Sequence, residues 1–266
     1  MTRSNPPSAL DDLPQIRRAI GGRKPAFFLG FDGTLALAPA RPGSIAMPAE
    51  TREVMASLAR DHLVCVVSGR TLGELYPSIG LEHVYYAADH GYRIMGPCDS
   101  GVDLEVEPQD RLQLEAAARE LDGRLQQIPG AMLESKALSL TVHYRLVADA
   151  DLPLLHTVVR EVAESAPALT LSDGNLMYEL RSALSWGKGK AVTWLLTRLR
   201  LDKRDVCPVC VGHDAADEDM FAAAGERGVG VFVGTPERPT LAGHLLRDQA
   251  ELASFLRTFV TGAGGA

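Results

Sequence analysis

Short apolar runs alternate along this chain with segments whose apolar positions recur at helical spacing. The runs "AFFLGF" (26–31), "HLVCVV" (62–67), "VYYAA" (84–88), "VCPVCVG" (206–212) and "VGVFVG" (229–234) read as buried strands. Between them lie amphipathic helices: Leu10, Leu13, Ile16 and Ile20 share one stripe, "PAETREVMASLARD" (48–61) carries Pro48 near its first turn, and "GKAVTWLLTRL" (189–199) is a third. Strand and helix in alternation predict an α/β fold built on a parallel sheet.

The pattern changes after "GPCDSG" (96–101). Leu114, Leu121, Leu125 and Ile128 mark a long helix, and Leu155, Val158, Val159 and Val162 a second. In "LSLTVHYR" (138–145), Leu138, Leu140, Val142 and Tyr144 alternate with Ser139, Thr141, His143 and Arg145, as in a half-buried antiparallel strand. "LTLSDGNLMYELR" (169–181) places an Asp-Gly-Asn turn between two strands, a hairpin signal. These elements predict an inserted α+β cap over 99–182, within a core of 1–98 and 183–266. Linkers near 96–101 and 182–187 are expected to act as hinges.

The composition is that of a globular protein, with 46% hydrophobic and 23% charged residues among 266. A net charge of −7 argues against nucleic acid as the main partner. "MTRSNPPSAL" is not a basic-then-apolar leader and no run reaches membrane-spanning length, so the expectation is a cytoplasmic protein without a membrane partner. Cys207 and Cys210 form a lone CxxC, but inside a buried strand these positions face opposite sides, which favours packing over metal or redox chemistry.

Ligands of open α/β sheets bind beyond the carboxyl ends of the strands. Four stretches belong there: "GFDGT" (30–34), "VVSGR" (66–70), "WGKGK" (186–190) and "VGHDAADED" (211–219). They offer Asp32, the hydroxyls of Thr34 and Ser68, Lys188, and an acidic cluster of Asp214, Asp217, Glu218 and Asp219. Hydroxyls and a lysine suit phosphate oxygens, and clustered carboxylates suit Mg²⁺.

In their order and spacing these stretches resemble the haloacid dehalogenase superfamily and, within it, the trehalose-6-phosphate phosphatases. "AADHG" (87–91), "ESKALSLTVHYR" (134–145), "YELR" (178–181) and "KGKA" (188–191) carry the closer resemblance. It implies a Rossmannoid core with a cap and a sugar phosphate bound between them. Ser68 and Lys188 match the phosphate-holding residues, and Asp32 the general acid/base that protonates a leaving sugar oxygen. Glu134, Lys136 and Glu179 match sugar-binding residues. His143 and Arg145 lie on the polar face of their predicted strand, a surface that suits a polyol.

Two departures stand out. The family writes Asp-x-Asp-Gly-Thr at its first motif, and this chain has Gly30 at the nucleophile position. The family writes Gly-Asp-Asp-x-Thr-Asp-Glu-Asp at its fourth, and here His213 and Ala216 intervene. Glycine can neither attack phosphorus nor ligate a metal, and imidazole matches a hard cation poorly. Asp32, Asp214 and Asp217 are thus expected to form a weakened Mg²⁺ site, with metal independence as the alternative. The functional readings are a phosphosugar-binding pseudophosphatase, an enzyme of changed reaction using Asp32 with His213, and a residual phosphatase. Retention of Asp32 and Thr34 favours the changed reaction.

Overall fold

The computed structural model describes residues 6–37, 47–106, 111–135, 139–174, 176–182, 186–201 and 204–260. It divides into a larger unit, Met1–Glu105 with Trp186–Ala266, and a second unit, Val106–Ser185.

The larger unit is built on an eight-stranded sheet. Its strands are β1 (Lys24–Gly30), β2 (Leu63–Val67), β3 (Tyr85–Ala88), β4 (Arg93–Met95), β5 (Asp103–Glu105), β10 (Val206–Gly212), β11 (Val229–Val233) and β12 (His244–Leu246). The order is β12-β11-β10-β1-β2-β3-β4-β5. Pairing is parallel from β12 to β3 and antiparallel beyond it.

Alternate residues of β1 feed two separate cores. Phe27 and Leu29 join Ile16 and Ile20 of α1 (Leu13–Ile20), Met55 and Leu58 of α2 (Ala49–Leu58), Leu75 of α3 (Leu72–Ile79) and Phe255 of α8 (Gln249–Arg257). Ala26 and Phe28 face the other way, onto Val192 and Leu195 of α6 (Lys188–Arg198) and Met220 and Phe221 of α7 (Glu218–Ala224). A strand buried on both faces must be apolar at every position, which is why "AFFLGF" carries no alternation. Cys207 and Cys210 obey the same rule. They fall in opposite cores, both fully buried, as free thiols, and burial pushes the Cys210 thiol upward.

The second unit carries α4 (Arg111–Leu125), α5 (Leu152–Ser165) and a four-stranded antiparallel sheet of order β6-β7-β9-β8. Its strands are β6 (Met132–Ser135), β7 (Ser139–His143), β8 (Leu169–Gly174) and β9 (Met177–Ser182). Leu140, Val142 and Leu180 pack with Leu121 and Leu125 of α4 and Leu155 and Val159 of α5. The expected hairpin is present, with Gly174 opposite Met177, although Asn175 at its turn lies outside the described residues.

Three expectations need correction. Residues 96–101 do not link the units: they connect β4 to β5, both in the larger sheet, and the change of unit falls after Glu105. Strands of three residues are too short to show a period, so sequence pattern missed them. Arg145 is not on a strand, because β7 ends at His143 and the chain turns. Thr141, expected on an exposed face, is buried between neighbouring strands. Among the described residues, no helix is long and apolar enough to cross a membrane.

Leu29 is fully buried in the central strand. Leu29→Ala should therefore lower unfolding free energy by about 2–5 kcal/mol, read from urea titration. Leu154→Ala, at a 49% exposed position, should change it by less than about 0.5 kcal/mol.

Candidate functional site

Three of the four motif stretches follow β1, β2 and β10 of the parallel sheet, and the fourth opens α6, whose Lys188 reaches Asp217 after β10. At the end of β1 the chain turns sharply, and the N–H groups of Thr34, Leu35 and Ala36 all donate to the Phe31 carbonyl. Gly33 sits in the left-handed region at φ 70°, and the His213 imidazole packs where its Cβ would stand. Glycine is required there on both counts.

Gly30 borders Thr34 and Asp217. A Cβ on residue 30 would lie 2.8 Å from Thr34 Oγ1 and 3.4 Å from Asp217 Oδ2. Thr34 is fully buried, and its hydroxyl has no hydrogen-bond partner. A buried hydroxyl left unpaired costs free energy, so this one is poised for a group arriving at residue 30's position or for a ligand oxygen.

Asp217 is buried and held by three hydrogen bonds. Lys188 Nζ donates to its Oδ1 at 2.6 Å, with both side chains buried. The His213 and Asp214 N–H groups donate to Oδ2 at 2.8 and 3.3 Å. Gly212 makes this approach feasible, since any Cβ there would overlap Asp217. Asp214 Oδ1 accepts from the Ala216 and Asp217 N–H groups, closing the turn after β10. Burial, and then the charge of Asp217, raise the Asp214 pKa.

Asp32 is not a lone carboxylate. Arg70 donates to it through Nε and Nη2, at 2.8 Å to Oδ2 and 2.7 Å to Oδ1. This fork geometry is the strong form of a guanidinium–carboxylate pair. The hydrogen bonds to Asp32 raise the Arg70 pKa. Arg70 follows Ser68, whose hydroxyl accepts the Arg70 N–H at 3.1 Å and keeps its own proton for another acceptor. The "VVSGR" stretch contained the signal for Arg70, an arginine two residues after a candidate phosphate ligand, but periodicity assigns it no partner.

A Mg²⁺ ion would need oxygen ligands that these contacts already engage. Asp32 faces a guanidinium, Asp217 an ammonium and two N–H groups, and Asp214 caps a turn. Gly30 offers no side-chain oxygen, and no group of three or more His, Cys, Asp or Glu placed to hold a metal ion occurs among the described residues. In this arrangement the donor set does not fit a hard cation needing six oxygens.

Residues 89–91 belong to the "AADHG" motif, but nothing in the sequence pattern announces their conformation. Asp89, His90 and Gly91 all hold positive φ, at 50°, 54° and 93°. Such backbone costs roughly 1–2 kcal/mol for each non-glycine residue. Asp89 N–H donates to the Arg70 carbonyl and His90 N–H to the Ser68 carbonyl, at 2.7 and 2.8 Å. Burial, and then the charges of Glu74 and Glu105, push the Asp89 pKa up to about 6.

The expected sugar residues belong to the second unit. Glu134, Thr141, Glu179 and Ser172 stand opposite one another in register across all four strands. His143 Nε2 meets Glu134 Oε2 at 3.0 Å, and Arg181 Nε lies 3.7 Å from Glu179 Oε2. Lys136 lies outside the described residues, and Arg145 is exposed in the turn after β7.

Comparison with known proteins follows the same lines. The family described as Trehalose-phosphatase matches residues 28–245. A probable trehalose-phosphate phosphatase C of Arabidopsis thaliana is 34% identical over 263 residues, covering 96% of this chain and 82% of that protein. A probable trehalose-phosphate phosphatase 3 of Oryza sativa subsp. japonica is 32% identical over 271 residues, covering 96% and 74%. Among solved structures, an Aspergillus fumigatus trehalose-6-phosphate phosphatase superposes with a TM-score of 0.75 at 22% identity, covering 95% of this chain and 98% of that one.

Two outcomes follow from the electrostatics. Lys188→Met leaves the buried Asp217 carboxylate without its cation and should destabilise the protein by about 3–5 kcal/mol in urea titration at pH 7. The Asp89 pKa is raised on folding, from 3.8 to about 6, so the native state binds the proton more tightly. Its contribution is present at low pH and is lost as pH rises through about 6. Asp89→Asn should therefore stabilise the protein at pH 7.5, with the gain shrinking towards pH 4 when unfolding is measured across that range.

Proposed function

The chain belongs to the trehalose-phosphatase family, and from that premise we propose that it binds a sugar phosphate without forming an aspartyl-phosphate at residue 30. One observation carries the reading: the end of the central strand is glycine, with Thr34 Oγ1 against the side where a nucleophile's Cβ would sit. Covalent phosphoryl transfer needs a carboxylate at that point, and none is supplied.

The groups suited to binding are retained. Thr34 and Ser68 have hydroxyl protons to donate, and Lys188 has three ammonium donors, one of them on Asp217. Phosphate oxygens match these donors. Glu134 and Glu179, on strands that flank buried Thr141, with His143 near Glu134, offer acceptors and a donor on one polar sheet face, which suits the hydroxyls of a sugar. Family membership favours trehalose 6-phosphate, and a related disaccharide or cyclitol phosphate would use the same donors.

A second reading keeps Asp32 as an acid/base on a sugar-like substrate, with His213 as its partner. Its support is that Asp32 stands at the strand end with 36% of its side chain exposed. Both its oxygens already accept from Arg70, so Asp32 is held in place by the guanidinium and would meet a substrate only through its remaining lone pairs. The geometry therefore favours binding over a changed reaction.

The test pairs phosphate release from trehalose 6-phosphate in Mg²⁺ with calorimetric binding of the same compound. The unaltered chain should bind it and release no phosphate. Gly30→Asp combined with His213→Asp should restore release and add a Mg²⁺-dependent rise in melting temperature that the unaltered chain lacks. Phosphate release by the unaltered chain would sink the proposal.

A further inference from the structure

We propose that His90 is a ligand-contacting residue of the phosphate site, its imidazole held beside Ser68 to donate to the oxygens of a phosphate monoester. The inference rests on the sugar-phosphate reading and names a residue that reading does not include. Its first support is the backbone. Asp89, His90 and Gly91 hold three successive left-handed conformations. Strain of this kind persists only where surrounding contacts impose it, and it concentrates at functional sites.

The contacts that impose it come from the phosphate site itself. Asp89 and His90 donate backbone N–H bonds to the Arg70 and Ser68 carbonyls. The Gly91 carbonyl accepts from Trp186 Nε1 at 2.8 Å, immediately before the helix that begins with Lys188. Gly91 also passes so close to that helix that a Cβ would stand 2.5 Å from Ala191 Cβ. The turn is thus pinned on one side to the Ser68–Arg70 segment and on the other to the start of α6.

The second support is Gly69. It is not among the glycines with positive φ, so its backbone does not require glycine. What lies against it is the His90 ring: a Cβ on residue 69 would stand 2.6 Å from both Cε1 and Nε2, so a side chain there would displace the ring. His90 is exposed, so the ring borders solvent while lying over the residue that follows Ser68. An imidazole placed there, next to a hydroxyl that still has its proton, forms a second donor for the same anion.

The experiment is calorimetric titration of the full chain with inorganic phosphate and with trehalose 6-phosphate. The variants are His90→Ala, Gly69→Ala and the two combined. His90→Ala should weaken binding of both probes about tenfold, the loss of one charge-assisted hydrogen bond. Gly69→Ala should do the same by displacing the exposed ring, with little change in melting temperature. Since both changes remove one placement of one ring, the double variant should bind no more weakly than either single. His90→Gln, which keeps a donor, should recover part of the loss. Full affinity in His90→Ala, or losses that multiply in the double variant, would overturn the assignment while leaving the sugar-phosphate reading intact. An unaltered chain that binds neither probe would overturn both.

Discussion

The ion pair between Lys188 and Asp217 is the contact on which the carboxyl edge of the larger sheet depends. Both groups are buried, and a charge removed from water needs a partner of opposite sign close by. That requirement fixes the start of α6 against the turn after β10. Gly212 exists to let Asp217 in, and the His213 and Asp214 N–H groups complete the carboxylate's hydrogen bonding. Remove the pair and the start of α6 loses its link to the turn after β10.

The departures from the family pattern are consistent with the same constraint. Asp32, Asp214 and Asp217 already stand near one another in sequence motifs that end on one sheet edge, and further carboxylates at 30 and 213 would add like charges beside them. In the absence of a bridging divalent cation such crowding is unfavourable. Here two side-chain cations answer two of the carboxylates instead, Lys188 on Asp217 and Arg70 on Asp32. Glycine at 30 adds no charge, and His213 spends its ring on packing against Gly33. Glycine at 30 and histidine at 213 thus fit an arrangement in which two of the carboxylates each have a side-chain cation.

The second unit follows a simpler logic. Its sheet buries Leu140, Val142 and Leu180 under two helices and turns Glu134, Glu179, His143 and Arg181 to its other face. Polar residues on adjacent strands also pair diagonally, as His143 does with Glu134, two positions out of register. Such a row is pre-ordered by the strand ladder, so a polyol would meet groups already fixed in place.

Sequence alone determined the larger features: the parallel core, the antiparallel insertion, the structural role of Cys207 and Cys210, and the identity of the motif residues at the strand ends. These were legible because burial on one face or two writes a period into the chain, and because Gly30 and His213 break a pattern of fixed spacing. It did not reveal Arg70 gripping Asp32, the left-handed turn at 89–91, the imidazole over Gly69, or the short strands β4 and β5. Each of these depends on which side chains meet across distant segments. A salt bridge thirty-eight positions apart in sequence leaves no periodic trace, and a glycine whose φ is ordinary gives no sign that a ring lies above it. Only tertiary packing decides such contacts, because they are set by where strands end in space and not by what each strand requires locally.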